Sequence, residues 1–174
     1  MTVRIRPARL QDAHALPAIE RSAGSLFRTI PDLGWIADDD VMSLEDHRNF
    51  IAHACAWVAS DNNRLVGFLA AEQMSETLHI WELAVHAEHQ GRGAGRALMA
   101  HAVAHARAQA CAAVTLTTFR DVAWNEAFYA RLGFATLDTH AQDVRLAAIL
   151  AREAENGLPP ARRCAMRLAL EKPC

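Results

Sequence analysis

Three glycines within five residues, Gly91, Gly93 and Gly95, constrain this chain more than any other feature. They follow an apolar run, residues 78–85, that is typical of a buried strand, and they precede an Ala-rich stretch, residues 97–110, with helical periodicity. Because these glycines lack Cβ atoms, backbone N–H groups can converge there on an anion at the positive end of a helix. The sequence therefore predicts a strand, a phosphate-binding turn and a helix in succession.

Two familiar nucleotide motifs use the same physics with a different spacing. A dinucleotide fingerprint would need glycine at Arg96 or Leu98, and a P-loop would need a Gly-Lys-Ser/Thr sequence, which is absent. The spacing that fits is Gln-x-x-Gly-x-Gly, beginning at Gln90. Three glycines alone would also suit an ordinary tight turn before a helix, so a second motif is needed to decide.

That second motif lies downstream, after a predicted strand at residues 114–119. It reads Tyr-x-x-Leu-Gly-Phe, from Tyr129 to Phe134, at the end of a helix predicted over residues 124–132. With both motifs in this order, the chain resembles the GNAT superfamily of CoA-dependent N-acetyltransferases over roughly residues 65–137.

The resemblance implies a fold and an activity. The expected fold is α/β, a mixed and mostly antiparallel V-shaped sheet of six to seven strands with helices on both faces, and the predicted strands and helices agree with it. One N-acetyltransferase domain is expected to span residues 1–174. The expected reaction is direct attack of an amine on acetyl-CoA in a ternary complex. The alternative function is a catalytically silent acyl-CoA-binding sensor or interaction domain.

The resemblance also places residues on acetyl-CoA, the implied cosubstrate. In the family, backbone groups of the motif strand bind the pantetheine arm and the glycine loop binds the pyrophosphate. Asn125 is a further candidate, because many members carry Asn at the position of Val122 and Asn125 shares a helix face with Tyr129; solvation of the helix N-terminus is the alternative. The candidate cofactor residues are Leu83, Ala84, Val85, Gln90, Gly91, Arg92, Gly93, Ala94, Gly95, Arg96, Asn125 and Tyr129.

Three side chains are candidates for acid–base chemistry. A phenol stays protonated at neutral pH, so Tyr129 is the candidate acid for the leaving thiolate of CoA. An amine acceptor must lose a proton before it attacks, and the motif strand offers Glu82 and His79, which strand alternation places on opposite faces. Glu82 is favoured as the base, His79 is the second choice, and a mechanism without a single base stays open.

The acceptor is expected to be a small-molecule amine. An acidic cluster at residues 38–40, with Glu45 and Asp46, would favour a cationic amine, although a solvated loop before a helix explains it equally well. A helix predicted over residues 142–156 has one apolar stripe that must be buried. It would either wall the acceptor pocket or form a homodimer interface, so monomer and homodimer both stay open.

Composition excludes several other classes of protein. A net charge of −2 and a pI of about 6.5 argue against nucleic-acid binding, which relies on a basic footprint. No stretch suits a membrane helix and no secretory leader is recognised, so a cytoplasmic location is expected.

No metal is expected in this chain. The four cysteines are widely spaced and are expected to be reduced. His101 and His105, and likewise His86 and His89, are spaced as metal ligands could be, but no carboxylate or cysteine accompanies either pair at ligand spacing. All four histidines are expected to be solvated.

Overall fold

The structure, a computed structural model, describes residues 3–171. These described residues form seven strands, namely β1 (Arg4–Pro7), β2 (Cys55–Asp61), β3 (Arg64–Met74), β4 (Thr77–Val85), β5 (Ala113–Phe119), β6 (Ala135–Thr136) and β7 (Arg163–Ala169). The α-helices are α1 (Leu16–Gly24), α2 (Leu44–His53), α3 (Ala94–Ala108), α4 (Glu126–Ala130) and α5 (Val144–Glu155). Short 3-10 helices occur at Leu10–Ala15, Ser25–Thr29, Gly34–Asp38, Ala87–His89, Thr139–Ala141 and Pro160–Arg162.

The strands form one sheet in the order β1-β2-β3-β4-β5-β7-β6. β1 with β2, β2 with β3, β5 with β7 and β6 with β7 are antiparallel, whereas β4 and β5 are parallel, with Thr77 opposite Ala113 and Ile80 opposite Leu116. The prediction of a mixed, mostly antiparallel sheet of six to seven strands with helices is confirmed. Its V-shaped opening stays a prediction.

The chain divides into two compact units, and β4 begins in one and ends in the other. The first unit runs to Gln73 and includes Trp81–His105. The helical spacing of Leu16, Ile19 and Ala23 predicts an apolar stripe on the first helix. Leu16 and Ile19 are indeed buried in this unit, at 1% and 4% exposure. Its core combines residues of α1, β2, β3 and β4, namely Leu16, Ile19, Val58, Phe68, Ala70 and Ala84.

The start of α2 shows how local chemistry sets a helix boundary. Ser43 Oγ accepts a hydrogen bond from Asp46 N, and Asp46 Oδ2 accepts one from Ser43 N, each at 3.1 Å. These two bonds satisfy backbone donors that a helix start would otherwise leave without partners. The sequence Ser43-Leu44-Glu45-Asp46, with Asp in the usual Glu position, predicts this capping box, and the structure confirms it.

The second unit contains Met74–Ile80 and the chain from Ala106 onward. Leu146 and Ile149 of α5 are 1% and 9% exposed, so the apolar stripe of this helix is buried against its own chain. An ion pair adds to the packing, because Arg163 Nε and Nη2 each donate to Glu153 at 2.9 Å. The role of α5 at an acceptor pocket stays a prediction.

Within residues 3–171, no helix is both long and apolar enough to cross a membrane.

Candidate functional site

The glycine segment forms a loop that leads directly into α3. Gly91 and Gly93 have φ angles of +71° and +90°, a left-handed conformation that residues with a Cβ rarely adopt. A Cβ added at either position would meet no atom within 4 Å, so open space lies beside this backbone. Conformation, and not packing within the protein, therefore demands glycine at both positions.

The N-terminus of α3 presents backbone donors at this loop. Ala97 N donates to Gly93 O at 2.9 Å, which makes Gly93 the capping residue of the helix. The N–H groups of the next three residues, Ala94, Gly95 and Arg96, have no acceptor inside the helix. Arg92 and Arg96 are exposed and add positive charge. This donor set fits a pyrophosphate group.

Two side-chain hydrogen bonds fix the segment between the end of β4 and the glycine loop. Gln90 Nε2 donates to Val85 O at 2.9 Å, so this predicted cofactor residue also ties the loop to the end of β4. Ala87 N donates to Ser22 Oγ at 3.1 Å, which anchors the same turn to α1. Sequence reasoning missed Ser22, because no local pattern links residues 65 positions apart.

The predicted pantetheine strand lies at the end of β4. Ala84 is 1% exposed, whereas Leu83 and Val85 are half-buried. Gly67 of β3 lies against this segment, and a Cβ on Gly67 would fall 2.9 Å from Ala84 O. Sequence reasoning also missed Gly67, although a glycine inside a strand pattern signals a close backbone approach.

The tyrosine motif belongs to the second unit. Tyr129 lies in α4 and is half-buried, with its ring centroid 5.9 Å from that of Phe134. The helix ends as the motif predicts: Gly133 has φ +93°, Phe134 N donates to Tyr129 O at 3.1 Å, and Gly133 N donates to Ala130 O at 3.0 Å. Leu-Gly-Phe therefore encodes a helix stop that fixes the backbone around Tyr129.

Asn125 occupies the capping position of α4. Its side chain makes no capping hydrogen bond, and it is half-buried. Val122, which stands where many family members have Asn, is 2% exposed and belongs to the core. The placement agrees with either role predicted for Asn125, and its contact with the cofactor stays a prediction.

The two candidate bases on β4 have different surroundings. His79 is fully buried, and its Nδ1 lies 3.0 Å from Thr115 Oγ1. Burial first, and then the positive charge of Arg145, lowers the pKa of His79 to about 4. Glu82 is half-buried and immediately precedes the predicted pantetheine segment.

The acidic cluster is partly occupied by internal contacts. Arg28 donates to both carboxylate oxygens of Asp38, at 3.0 and 2.5 Å. The Ser43 hydrogen bonds hold the pKa of the Asp46 carboxyl below its usual value. Asp39, Asp40 and Glu45 are exposed.

Two of the four histidines differ from the expected solvation. His105 was expected on the solvated face of α3, but its Nε2 lies 3.4 Å from Cys55 Sγ and its ring packs on Trp57, which is 7% exposed. The α3 periodicity could not show this contact, because β2 supplies both partners. Nor does His89 Nδ1, which is buried, match the expected solvation. Among residues 3–171, no three His, Cys, Asp or Glu side chains are grouped to hold a metal.

Comparison with known proteins decides the family. Residues 25–134, more than half of the 174-residue chain, match the acetyltransferase (GNAT) family. The chain belongs to this family. The GNAT match includes both the glycine loop and the tyrosine motif.

Relatives of this GNAT protein differ in their acceptors. Mycothiol acetyltransferase of Saccharopolyspora erythraea is 30% identical over 128 residues, which cover 72% of this chain but only 42% of that protein. PaiA N-acetyltransferase of Thermoplasma acidophilum, crystallised with coenzyme A, matches with a TM-score of 0.72 and 17% identity over 98% of this chain and all of that one. Ribosomal-protein-S18-alanine N-acetyltransferase of Escherichia coli matches with a TM-score of 0.71 and 16% identity over 99% and 97% of the two chains. At these identities the two solved structures show a shared fold.

Proposed function

We propose that this GNAT protein transfers the acetyl group of acetyl-CoA to the amine of a small molecule, by direct attack in a ternary complex. The supporting observation is the loop at the start of α3. It combines two left-handed glycines, open space beside them, and helix N–H groups without intrahelical acceptors. The coenzyme A complex of the PaiA relative supports the same assignment.

In this proposal the pyrophosphate lies on the loop from Gln90 to Arg96 and the pantetheine arm runs along the end of β4. Leu83, Ala84 and Val85 would bind the arm through backbone groups, and Arg92 and Arg96 would add charge to the phosphate site. Side chains at Gly91 and Gly93 would extend into the open space that this proposal assigns to the pyrophosphate.

Glu82 is the proposed general base. His79 has no exposed surface, so an acceptor amine cannot reach it, and burial also makes it a weaker base than an ordinary imidazole by lowering its pKa to about 4. Glu82 is half-buried on the same strand and can act directly or through water. Tyr129 is the proposed acid that protonates the departing thiolate. Asn125, four residues earlier, is a proposed cofactor contact.

A small-molecule acceptor is proposed over a protein acceptor. Mycothiol acetyltransferase, at 30% identity, is more similar in sequence than the ribosomal-protein enzyme at 16%. We further propose that α5 borders the acceptor. Since α5 buries Leu146 and Ile149, deleting it would unfold the second unit, whereas Val144 is 89% exposed and can be changed. Val144→Asp should alter acceptor preference if α5 borders the acceptor.

Titration calorimetry with acetyl-CoA, followed by a thiol-release assay, tests the proposal. Small amines and N-terminal peptides are offered as acceptors in parallel, and small amines should give the faster release. Absence of binding at millimolar acetyl-CoA would contradict the phosphate assignment. Binding without thiol release above background would instead identify the silent sensor.

The base is tested with a matched pair of glutamates. Glu82→Gln should lower kcat by about 10² or more, the scale of a positioned general base. Glu88→Gln, an exposed glutamate in the turn that follows β4, should leave kcat unchanged. Equal activity of Glu82→Gln and wild type would remove Glu82 from the mechanism.

A further inference from the structure

Cys55 and His105 form a thiol–imidazole pair away from the residues proposed for acetyl transfer. Cys55 begins β2 and His105 lies in the last turn of α3, with Sγ and Nε2 3.4 Å apart. Both belong to the first unit. A thiol at this distance from an imidazole nitrogen is within hydrogen-bonding reach for sulfur.

The surroundings of the pair hold the imidazole beside the thiol. Trp57, two residues after Cys55 and on the same face of β2, packs its ring 5.2 Å from the His105 ring at an interplanar angle of 66°. The imidazole therefore packs against the strand that carries the thiol, with Nε2 within reach of the thiol proton. A protonated imidazole in turn stabilises a thiolate beside it.

The other described cysteines are more deeply buried than Cys55, and burial makes their thiols less reactive. Cys111 and Cys164 are 3% and 1% exposed, whereas Cys55 is only half-buried. Burial raises the pKa of the Cys111 thiol and raises that of Cys164 to about 11. Of the three cysteines in residues 3–171, Cys55 alone combines solvent access with a base.

We infer that Cys55, assisted by His105, is a site of thiol–disulfide exchange with small-molecule disulfides. His105 Nε2 takes the proton of the Cys55 thiol, and the thiolate attacks one sulfur of the disulfide R–S–S–R. A Cys55–S–S–R bond forms as the original S–S bond breaks, and the departing R–S⁻ takes the proton from His105. Cys55 is oxidised to a mixed disulfide while half of the reagent is reduced to a thiol, so the exchange needs no further oxidant.

The influence of His105 on the rate of disulfide exchange at Cys55 combines two opposing effects. A neighbouring imidazole raises the thiolate fraction at neutral pH several-fold, while the intrinsic nucleophilicity of the more stable thiolate falls. The net gain is about threefold. Burial of Cys111 and Cys164 should separate them from Cys55 by a wider margin, about tenfold or more, since both the thiolate and its access are suppressed.

The experiment treats the full-length protein with bis(2-hydroxyethyl) disulfide, an uncharged probe, and follows each cysteine by peptide-mapping mass spectrometry. Mapping also separates Cys174, which lies outside the described residues. Cys55 should be modified faster than Cys111 and Cys164. His105→Gln should slow modification of Cys55 about threefold or more. His101→Gln, an exposed histidine one turn earlier on α3, should change nothing.

Equal rates for Cys55 and the two buried cysteines would overturn the inference, as would a Cys55 rate that His105→Gln leaves unchanged in a folded protein. Circular dichroism shows whether each variant is folded. If His105→Gln does not fold, His105→Asn is tested in the same way, and the order of rates in the wild-type protein shows whether Cys55 is the reactive thiol.

Discussion

Gly67 lies against the proposed pantetheine strand, and the structure leaves no room there for a methyl group. In Gly67→Ala the new Cβ would lie 2.9 Å from Ala84 O, 3.2 Å from Val85 Cγ2 and 3.4 Å from Leu98 Cδ1. The nearest atom belongs to the backbone, so rotation of a side chain cannot relieve the contact. Overpacking of this kind costs about 1–3 kcal/mol. Each kcal/mol lowers Tm by about 2–4 °C in a chain of this size, so we expect a loss of about 2–12 °C.

Thermal unfolding by circular dichroism, with and without acetyl-CoA, measures this effect. Because the strain falls on Ala84 and Val85, the variant should also bind acetyl-CoA more weakly. Gly24→Ala is the matched control: Gly24 ends α1 with φ −61°, and the nearest atom to an added Cβ, Ile36 O, is 3.9 Å away. That control should gain about 0.4–1 kcal/mol from lower chain entropy in the unfolded state. A Gly67→Ala protein with the Tm and affinity of wild type would refute the reasoning.

Three further predictions concern single side chains. Gly93→Val should abolish acetyl-CoA binding measured by calorimetry, because the left-handed backbone and the space for the ligand are both lost; wild-type affinity would rule out the phosphate site. Tyr129→Phe should keep acetyl-CoA affinity within a few-fold but lower kcat by about 10², and an unchanged kcat would leave Tyr129 a packing role. Two hydrogen bonds from Arg6, at 2.7 and 2.9 Å, hold the pKa of the Asp12 carboxyl below its usual value. The ionised carboxylate therefore stabilises the folded protein at pH values above the pKa of Asp12 in the unfolded chain, and this stabilisation is lost as the pH falls through the lower folded pKa. Asp12→Asn should therefore lose less stability than wild type between neutral and acidic pH in urea unfolding, and equal losses would contradict the assignment.

Elements with strong local signals could be predicted from the sequence. The capping box at Ser43 and the glycine stop at Gly133 each satisfy helix ends through residues a few positions apart. The apolar stripes of α1 and α5 identified residues that the structure buries, such as Leu16 and Leu146. Such signals depend on periodicity within one segment, which a single sequence contains.

Prediction was less accurate for elements whose bounds depend on contacts with other segments of the chain. A helix was expected over residues 124–132, but α4 covers only Glu126–Ala130. It starts late because the backbone of Asn125, at φ −114° and ψ −105°, is not helical. The sequence also predicts a strand over residues 134–137, but the observed strand is reduced to Ala135–Thr136. Its pairing partners are Arg167 and Met166, far along the chain, so its length depends on β7.

Contacts between distant residues were missed for the same reason. Cys55 and His105 are 50 positions apart, and periodicity along α3 assigns His105 to the polar face without showing which strand meets it. In the candidate site, the glycine and tyrosine motifs could be predicted from the sequence because each consists of consecutive residues. The supports at Ser22 and Gly67 act across the fold, and only the structure reveals them.

The buried His79 predicts how the stability of the protein depends on pH, and the same experiment distinguishes a structural role of His79 from a catalytic one. Its pKa falls from an unfolded value near 6.5 to about 4 because the ring is buried beside Arg145, with a smaller opposing effect from Asp143. Between these pH values the unfolded chain binds a proton at His79 that the folded protein does not. The free energy of unfolding is therefore unaffected by His79 above pH 6.5 and declines as the pH falls toward about 4. The difference corresponds to about 3 kcal/mol.

His79→Gln retains a polar side chain near Thr115 but does not titrate in this range, so its free energy of unfolding should decline less between pH 6.5 and 4 than that of wild type. Urea unfolding across this range measures the difference, with the exposed His101→Gln as the control that should follow wild type. If His79→Gln folds and keeps its kcat, His79 is structural and the general base must lie elsewhere. If instead kcat falls about 10² while the pH profile of stability matches wild type, His79 is the base, and the assignment of that role to Glu82 is wrong.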